Sequence, residues 1–228
     1  ARGRGLSNVL NLSNDETVKA FVSIRTFDQD KFLIMTTKNG IIKKSKLEDY
    51  SRPRTNGIIA INLKGDDELI SVQTSSGKDE ILISTRMAQA VRFNEEKVRS
   101  VGRNSMGVKG ITLKPKDSVV SSEVIKNDNV KILTVTENGF GKRTDISKYR
   151  LTSRGGKGVT TLKVTEKTGE IVNAFQTENE DQIILLSSAG KATRLKASDI
   201  SLIGRATQGV KLMKVDDETK VVAVAKIA

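Results

Sequence analysis

The residues best placed to do chemistry are basic, and they recur. Counting from the turn positions Gly40, Ala88, Gly139 and Gly190, the fourth following residue is Lys44, Arg92, Arg143 or Arg194. The third is Lys43, Val91, Lys142 or Thr193. A second set of cations, Arg54, Arg103, Arg154 and Arg205, stands three or four residues before Gly57, Gly107, Gly158 and Gly209, and Arg4 precedes Gly5. Lys157 joins them inside Ser153-Arg154-Gly155-Gly156-Lys157-Gly158. Guanidinium and ammonium groups repeated at fixed intervals attract a polyanion through its phosphates and read no base.

Other chemistries are excluded by what is missing. The 228 residues contain no His and no Cys, which removes zinc clusters, His-assisted nucleophiles and disulfides. The acidic runs Asp66-Asp67-Glu68 and Asp216-Asp217-Glu218 fall at equivalent turns without converging partners, so no metal site is expected. Gly155-Gly156-Lys157-Gly158 lacks the spacing of a nucleotide-binding loop. Tyr50 and Tyr149 end the same repeat element, where Val98 and Ile200 replace them, which points to packing. Neither a catalytic residue nor a cofactor is implied.

Lys and Arg total 39 against 27 Asp and Glu, a formal charge of +12. The longest uninterrupted apolar run is Val221 to Ala225, far short of a membrane span. The expectation is a cytoplasmic protein. Ala1 in place of Met, followed at once by Arg2 and Arg4, reads as a chain that begins within a longer one.

The elements that carry the cations follow from the repeat. The turn positions are spaced by 48, 51 and 51 residues and the second glycines by 50, 51 and 51. Asn39-Gly40, Asn138-Gly139 and Ala189-Gly190 separate short β-rich runs, and Asn-Gly supplies the positive φ of a tight hairpin. After each second glycine an apolar alternation (Ile61 and Leu63, Ile111 and Leu113, Leu162 and Val164, Met213 and Val215) predicts a third strand. Fourth strands are expected near Leu69 to Val72, Val119 to Val124, Ile171 to Phe175 and Val221 to Ala225.

Four strands in a period of roughly 50 residues predict an all-β, propeller-like domain whose repeats bury their faces against neighbours. One domain spans 1–228, divided as a half blade over 1–27 and repeats over 28–78, 79–127, 128–178 and 179–228. Leu10, Leu12, Val18 and Val22 are expected strand residues of the half blade. The tally is four and a half to five blades.

Radial repetition would set the cations around a ring, a curved track suited to bent duplex DNA. With eight aromatics, no Trp, and Phe93 and Phe140 not recurring, single-strand stacking is disfavoured. A competing reading places Lys44, Arg92, Arg143 and Arg194 between blades, paired with carboxylates such as Glu68, Asp117, Glu170 and Glu218. For the loop arginines the competing reading is solvated turn chemistry.

The stretches ARGRGLSNVLNL, TKNGIIKKSKLEDYSRPRTNG, NSMGVKGI, NGFGKRTDISKY and IGRATQGV resemble the C-terminal DNA-wrapping domain of the bacterial DNA gyrase A subunit, a six-bladed β-pinwheel. That family's signature, Q-[RK]-R-G-G-[RK]-G, is absent, and its nearest relative here is Ser153 to Gly158. The resemblance implies sequence-independent binding and bending of duplex DNA on a basic rim, as the accessory domain of an ATP-dependent type IIA topoisomerase that introduces supercoils. It implies as partners double-stranded DNA, the breakage-reunion region of the parent polypeptide and the gyrase B subunit, with no membrane and a nucleoid-associated location. The cleavage tyrosine and ATP site would lie outside this chain. Two alternatives are the equivalent domain of topoisomerase IV and a propeller used as a protein-interaction scaffold.

Overall fold

The computed structural model describes Leu12 and residues 16–227. Among these, each repeat opens with the expected hairpin: β1 (Phe32–Thr37) with β2 (Ile41–Lys46), β4 (Glu80–Thr85) with β5 (Gln89–Asn94), β8 (Lys131–Thr136) with β9 (Phe140–Asp145), and β12 (Gln182–Ser187) with β13 (Ala192–Lys196). The turns adopt positive φ at Gly40 (82°), Gly139 (76°) and Gly190 (75°), as a tight β-turn of this hand demands. Ala88 takes the same conformation at 60°, its methyl buried against Leu162 and Ile171.

The fourth strand of each repeat pairs with the first strand of its hairpin: β3 (Leu69–Ser75) with β1, β7 (Val119–Ile125) with β4, β11 (Ile171–Thr177) with β8, and β15 (Val221–Ile227) with β12. The third strand is only two residues long and joins the sheet before it. Thus β6 (Val108–Lys109) pairs with β2, β10 (Val159–Thr160) with β5 and β14 (Val210–Lys211) with β9. Three sheets, β3-β1-β2-β6, β11-β8-β9-β14 and β10-β5-β4-β7, therefore have four strands, and β13-β12-β15 has three.

The third strands differ from expectation in place as well as partner. None follows Gly57, and the alternating residues from Ile61 to Val215 lie just beyond the short strands, outside any sheet. Their backbone is committed elsewhere: the amides of Asn62, Thr112 and Lys163 donate to Ser105, Gly156 and Thr207 of the following loop. The alternation still reports burial, since Ile111, Leu162 and Met213 sink between sheets. Among the described residues of the half blade, Leu12, Val18 and Val22 lie in no strand, and Val22 with Ile24 packs onto the core of the first sheet. Leu10 lies outside the described residues.

Sheets stack face to face because both faces of each hairpin are apolar. Ile81, Ile83, Val91 and Phe93 meet Ile34 and Ile42 of the first sheet on one side. Leu82 and Ala90 meet Ile132, Ile146 and Tyr149 of the third sheet on the other. Leu133 and Val135 repeat the contact with Ile183 and Leu185. Strands β3, β7, β11 and β15 converge: Gln73 donates to the Ser122 carbonyl (3.1 Å), Gln176 to Val124 (3.1 Å) and Asn173 to Val224 (3.3 Å). The opposite edges, with the short strands and their loops, consequently lie outermost.

Candidate nucleic-acid interface

The outer edges are built from four stretches, 50–65, 97–116, 146–165 and 200–215. Together they contain seventeen Lys and Arg and no Asp or Glu, leaving 22 basic against 27 acidic residues in the rest of the chain. The whole positive excess of the sequence thus falls within these four stretches. The two middle stretches carry most of it, with six and five cations.

Glycine shapes this edge. Gly107, Gly158 and Gly209 adopt φ of 99°, 77° and 80° and lie flat on the hairpin strand behind them. A Cβ there would sit 2.5 to 2.6 Å from the carbonyl oxygens of Ile42, Ala90 and Gly141, so only glycine lets the loop close onto the sheet.

The loop arginines then join consecutive repeats. Arg103 donates to the Ile59 carbonyl (3.4 Å), Arg154 to Lys109 (2.5 Å) and Arg205 to Thr160 (2.8 Å). Each acceptor is the second residue after the preceding repeat's glycine, so one bond is used three times. Arg154 also donates to the Lys97 carbonyl at 3.1 Å. All three side chains remain partly exposed, and a guanidinium has five N–H groups, so donors are left for a phosphate.

The other predicted cations divide sharply. Arg54 and Lys157 are exposed, as is Arg194, whose Nε donates to Gln182 at 3.2 Å. Arg4 lies outside the described residues. Lys43, Lys44, Arg92, Lys142 and Arg143 are buried between sheets, which removes them from the outer surface. Lys44 pairs with Glu95 (3.4 Å) and stands over the Phe32 ring. Arg92 pairs with Glu80 (2.5 Å) and Asp128 (3.1 Å) and donates to the carbonyls of Ile146 and Tyr149. Arg143 binds the Ile200 carbonyl (2.9 Å) and Asn179 (2.8 Å).

The competing reading of these residues thus names the right place but not the right partners. Glu68 pairs with Lys19 and Lys38, Glu170 with Arg86, and Asp117 accepts from Thr85 and Met87. The reason is register: Lys44, Arg92 and Arg143 face the short 3-10 turns that follow the next repeat's hairpin (Glu95–Lys97, Ile146–Lys148 and Ala197–Asp199), not the acidic turns.

Lys43 and Lys142 are fully enclosed, and burial lowers both from the ordinary lysine value to about 8, with Arg103 and Arg205 respectively adding repulsion. Missed by residue-by-residue reading are the exposed Arg52, Lys97, Arg99, Lys109, Lys148, Arg150 and Lys211. The signal that finds them is the absence of acidic residues over 16 to 20 positions at a time. Arg150, Arg154 and Lys157 also line an open groove of about 530 Å³ floored by Ala90, Arg92 and Val159.

Comparison with known proteins agrees with this geometry. The profile of the family described as DNA gyrase C-terminal domain, beta-propeller, matches residues 31–76, 79–126, 131–178 and 181–228. The DNA gyrase A subunit of Staphylococcus epidermidis is 43% identical over 229 residues, covering 100% of this chain and 26% of that protein. Its counterpart in Haemophilus influenzae is 40% identical over 254 residues, covering 100% of this chain and 29% of that protein. The chain therefore spans between a quarter and a third of the relatives it matches.

Among solved structures, the C-terminal domain of DNA topoisomerase IV superposes with a TM-score of 0.91 at 26% identity, covering 99% of this chain and 70% of that one. A DNA gyrase A C-terminal domain gives 0.89 at 29%, covering 100% and 76%. With four matched repeats, an all-β sheet array and a cationic outer edge, the chain belongs to the DNA gyrase C-terminal domain family.

Proposed function

We propose that this chain binds duplex DNA without sequence preference along its outer edge and bends it, as the accessory domain of a type IIA topoisomerase that introduces supercoils. The observation that carries the proposal is the segregation of charge along the chain: seventeen cations and no carboxylate within the four stretches that form the outer loops, a net negative remainder elsewhere. Exposed Arg54, Arg99, Arg150 and Lys157, with half-exposed Arg103, Arg154 and Arg205, supply phosphate contacts distributed over successive loops. Such contacts fix register and affinity but carry no base information. Smooth bending of a 20 to 30 bp site costs about 1 to 6 kcal/mol, which several phosphate contacts together offset.

In the parent enzyme the partners are the breakage-reunion region of the same polypeptide and the gyrase B subunit, in the cytoplasm on the nucleoid. The single domain 1–228 contributes DNA binding and no bond-making step.

The test is a triple reversal, Arg99→Glu, Arg150→Glu and Lys157→Glu, all exposed and outside the inter-loop bonds. Affinity for several unrelated duplexes is expected to fall alike. The slope of log K against log salt is expected to shrink by about 0.9 for each phosphate no longer neutralised. A folded triple variant with unchanged affinity overturns the assignment, and a wild-type chain that shifts no duplex at low salt favours a protein-interaction scaffold instead.

A further inference from the structure

The loops that carry the outer arginines are not all held in the same way. In β2 the Lys43 ammonium donates to the carbonyls of Ala60 (2.7 Å) and Arg103, bridging the edge segment of its own repeat to the loop of the next. In β9, the Lys142 ammonium spends all its bonds on the loop after it, donating to Gly204 (2.5 Å), the Thr207 hydroxyl (3.0 Å) and the Arg205 carbonyl. The acceptors include the backbone oxygens of Arg103 and Arg205, the residues whose side chains form the inter-loop bonds.

The repeat between them has no such ammonium. Val91 of β5 occupies the corresponding position and lies in the apolar core between the first two sheets. The corresponding loop, 152–158, is held through its glycines instead: the Gly155 amide donates to the Gly110 carbonyl (2.8 Å), and Thr112 donates from its hydroxyl to Gly155 (2.6 Å) and from its amide to Gly156 (2.9 Å).

We infer that Lys43 and Lys142 are positioning residues, each fixing the loop backbone so that Arg103 or Arg205 is presented to DNA. The inference rests on the DNA-binding reading above. Its physical basis is that a buried ammonium offers three N–H groups and no alternative acceptor, so it holds two or three oxygens at once. Removing it takes away the donor these loop oxygens share and leaves the loop without its anchor.

A double-mutant cycle on the whole chain decides the matter: Lys142→Met, Arg205→Ala and the two combined. Each single change is expected to weaken duplex binding by roughly two- to tenfold, the range of one hydrogen bond's net worth. The double variant is expected to be no weaker than the Arg205→Ala single, because Lys142 acts through Arg205. Amide exchange over 203–209 is expected to accelerate in Lys142→Met.

Independent, additive losses overturn the inference, because a general loss of stability would weaken binding in both backgrounds. Unchanged exchange at 203–209 overturns it too. Lys43→Met with Arg103→Ala repeats the cycle at a separate site, so one poorly folding variant does not end the test. Should the wild type bind no duplex, the DNA reading falls, while the exchange comparison still decides whether the ammonium holds the loop.

Discussion

The guanidinium of Arg205 donates to the carbonyl of Thr160 at 2.8 Å, across 45 residues of sequence and between two adjoining loops of the outer edge. Arg154 and Arg103 make the same bond to Lys109 and Ile59. Each arginine is therefore half fixture and half ligand, with part of its fork in the protein and part facing solvent.

Replacing Arg205 with Lys keeps the charge and removes the fork. An ammonium is a point charge that cannot span a carbonyl and a phosphate in the same plane. Duplex affinity is expected to drop by about two- to fivefold with the salt slope unchanged. Titrations at four or five salt concentrations check both numbers, and a slope reduced by about 0.9 would mean that the charge itself has moved away from DNA.

Gly158→Ala and Gly57→Ala separate backbone conformation from crowding. Both residues sit at positive φ, 77° and 75°. An added Cβ at Gly158 meets the Ala90 carbonyl oxygen at 2.5 Å, whereas at Gly57 it meets nothing within 4 Å. The left-handed conformation alone costs about 1 to 2 kcal/mol for a residue with a Cβ. Crowding adds about 1 to 3 kcal/mol more at Gly158. Urea denaturation of the two variants is expected to rank them in that order, and equal losses would refute the close approach.

The two enclosed lysines make stability depend on alkaline pH with a definite sign. At pH values below about 8 both folded and unfolded chains hold these protons. Between about 8 and the ordinary lysine value of 10.5 the folded chain releases them first, so the unfolded state binds more protons and stability rises with pH. Buried Tyr50 and Tyr149, both raised by desolvation, act in the opposite sense above pH 10. The wild type is therefore expected to gain on a Lys43→Met, Lys142→Met double variant between pH 7.5 and 9.5 in thermal unfolding. A difference that stays constant over that range contradicts the burial of the two charges.

Glu123 carries the inverse dependence. It lies on β7 between two neighbouring sheets, accepting from Gln73 at 3.1 Å and the Gln176 amide at 3.3 Å, and desolvation raises its carboxyl above the ordinary value of 4.5. The unfolded chain ionises first as pH rises, so the folded state bears the cost of a buried charge at neutral pH. Glu123→Gln is expected to raise the melting temperature by about 2 to 4 °C at pH 7, as a change near 1 kcal/mol does in a chain of this size. The gain should vanish as pH approaches 4.5. A lower melting temperature at both pH values would show that the carboxylate's hydrogen bonds outweigh its desolvation.

Much of the architecture is legible in the chain because local chemistry and global packing agree there. Asn39-Gly40 and Asn138-Gly139 demand a hairpin wherever they lie, and Gly107, Gly158 and Gly209 mark a backbone that must pass close to another. Which sheet receives Val108–Lys109 is not legible, since two residues carry no periodicity and their partner is chosen by how sheets stack. The same holds for Lys43, Lys44, Arg92, Lys142 and Arg143. A charged residue in a strand reads as solvent-facing until the neighbouring sheet is placed over it, and only then do carbonyls and Glu95 or Glu80 become its surroundings. Loop arginines escape this ambiguity because no sheet covers them.

Donation of β6, β10 and β14 to the preceding sheet gives the molecule a mechanical polarity. Drawn out from its C-terminal end, the chain surrenders Val210–Lys211 and strips the outer border from the sheet that starts at Lys131 before that sheet's own hairpin bears any load. Drawn from the other end, the first hairpin leaves with every later sheet still complete. Force applied at opposite ends of one polypeptide thus unravels it by different routes.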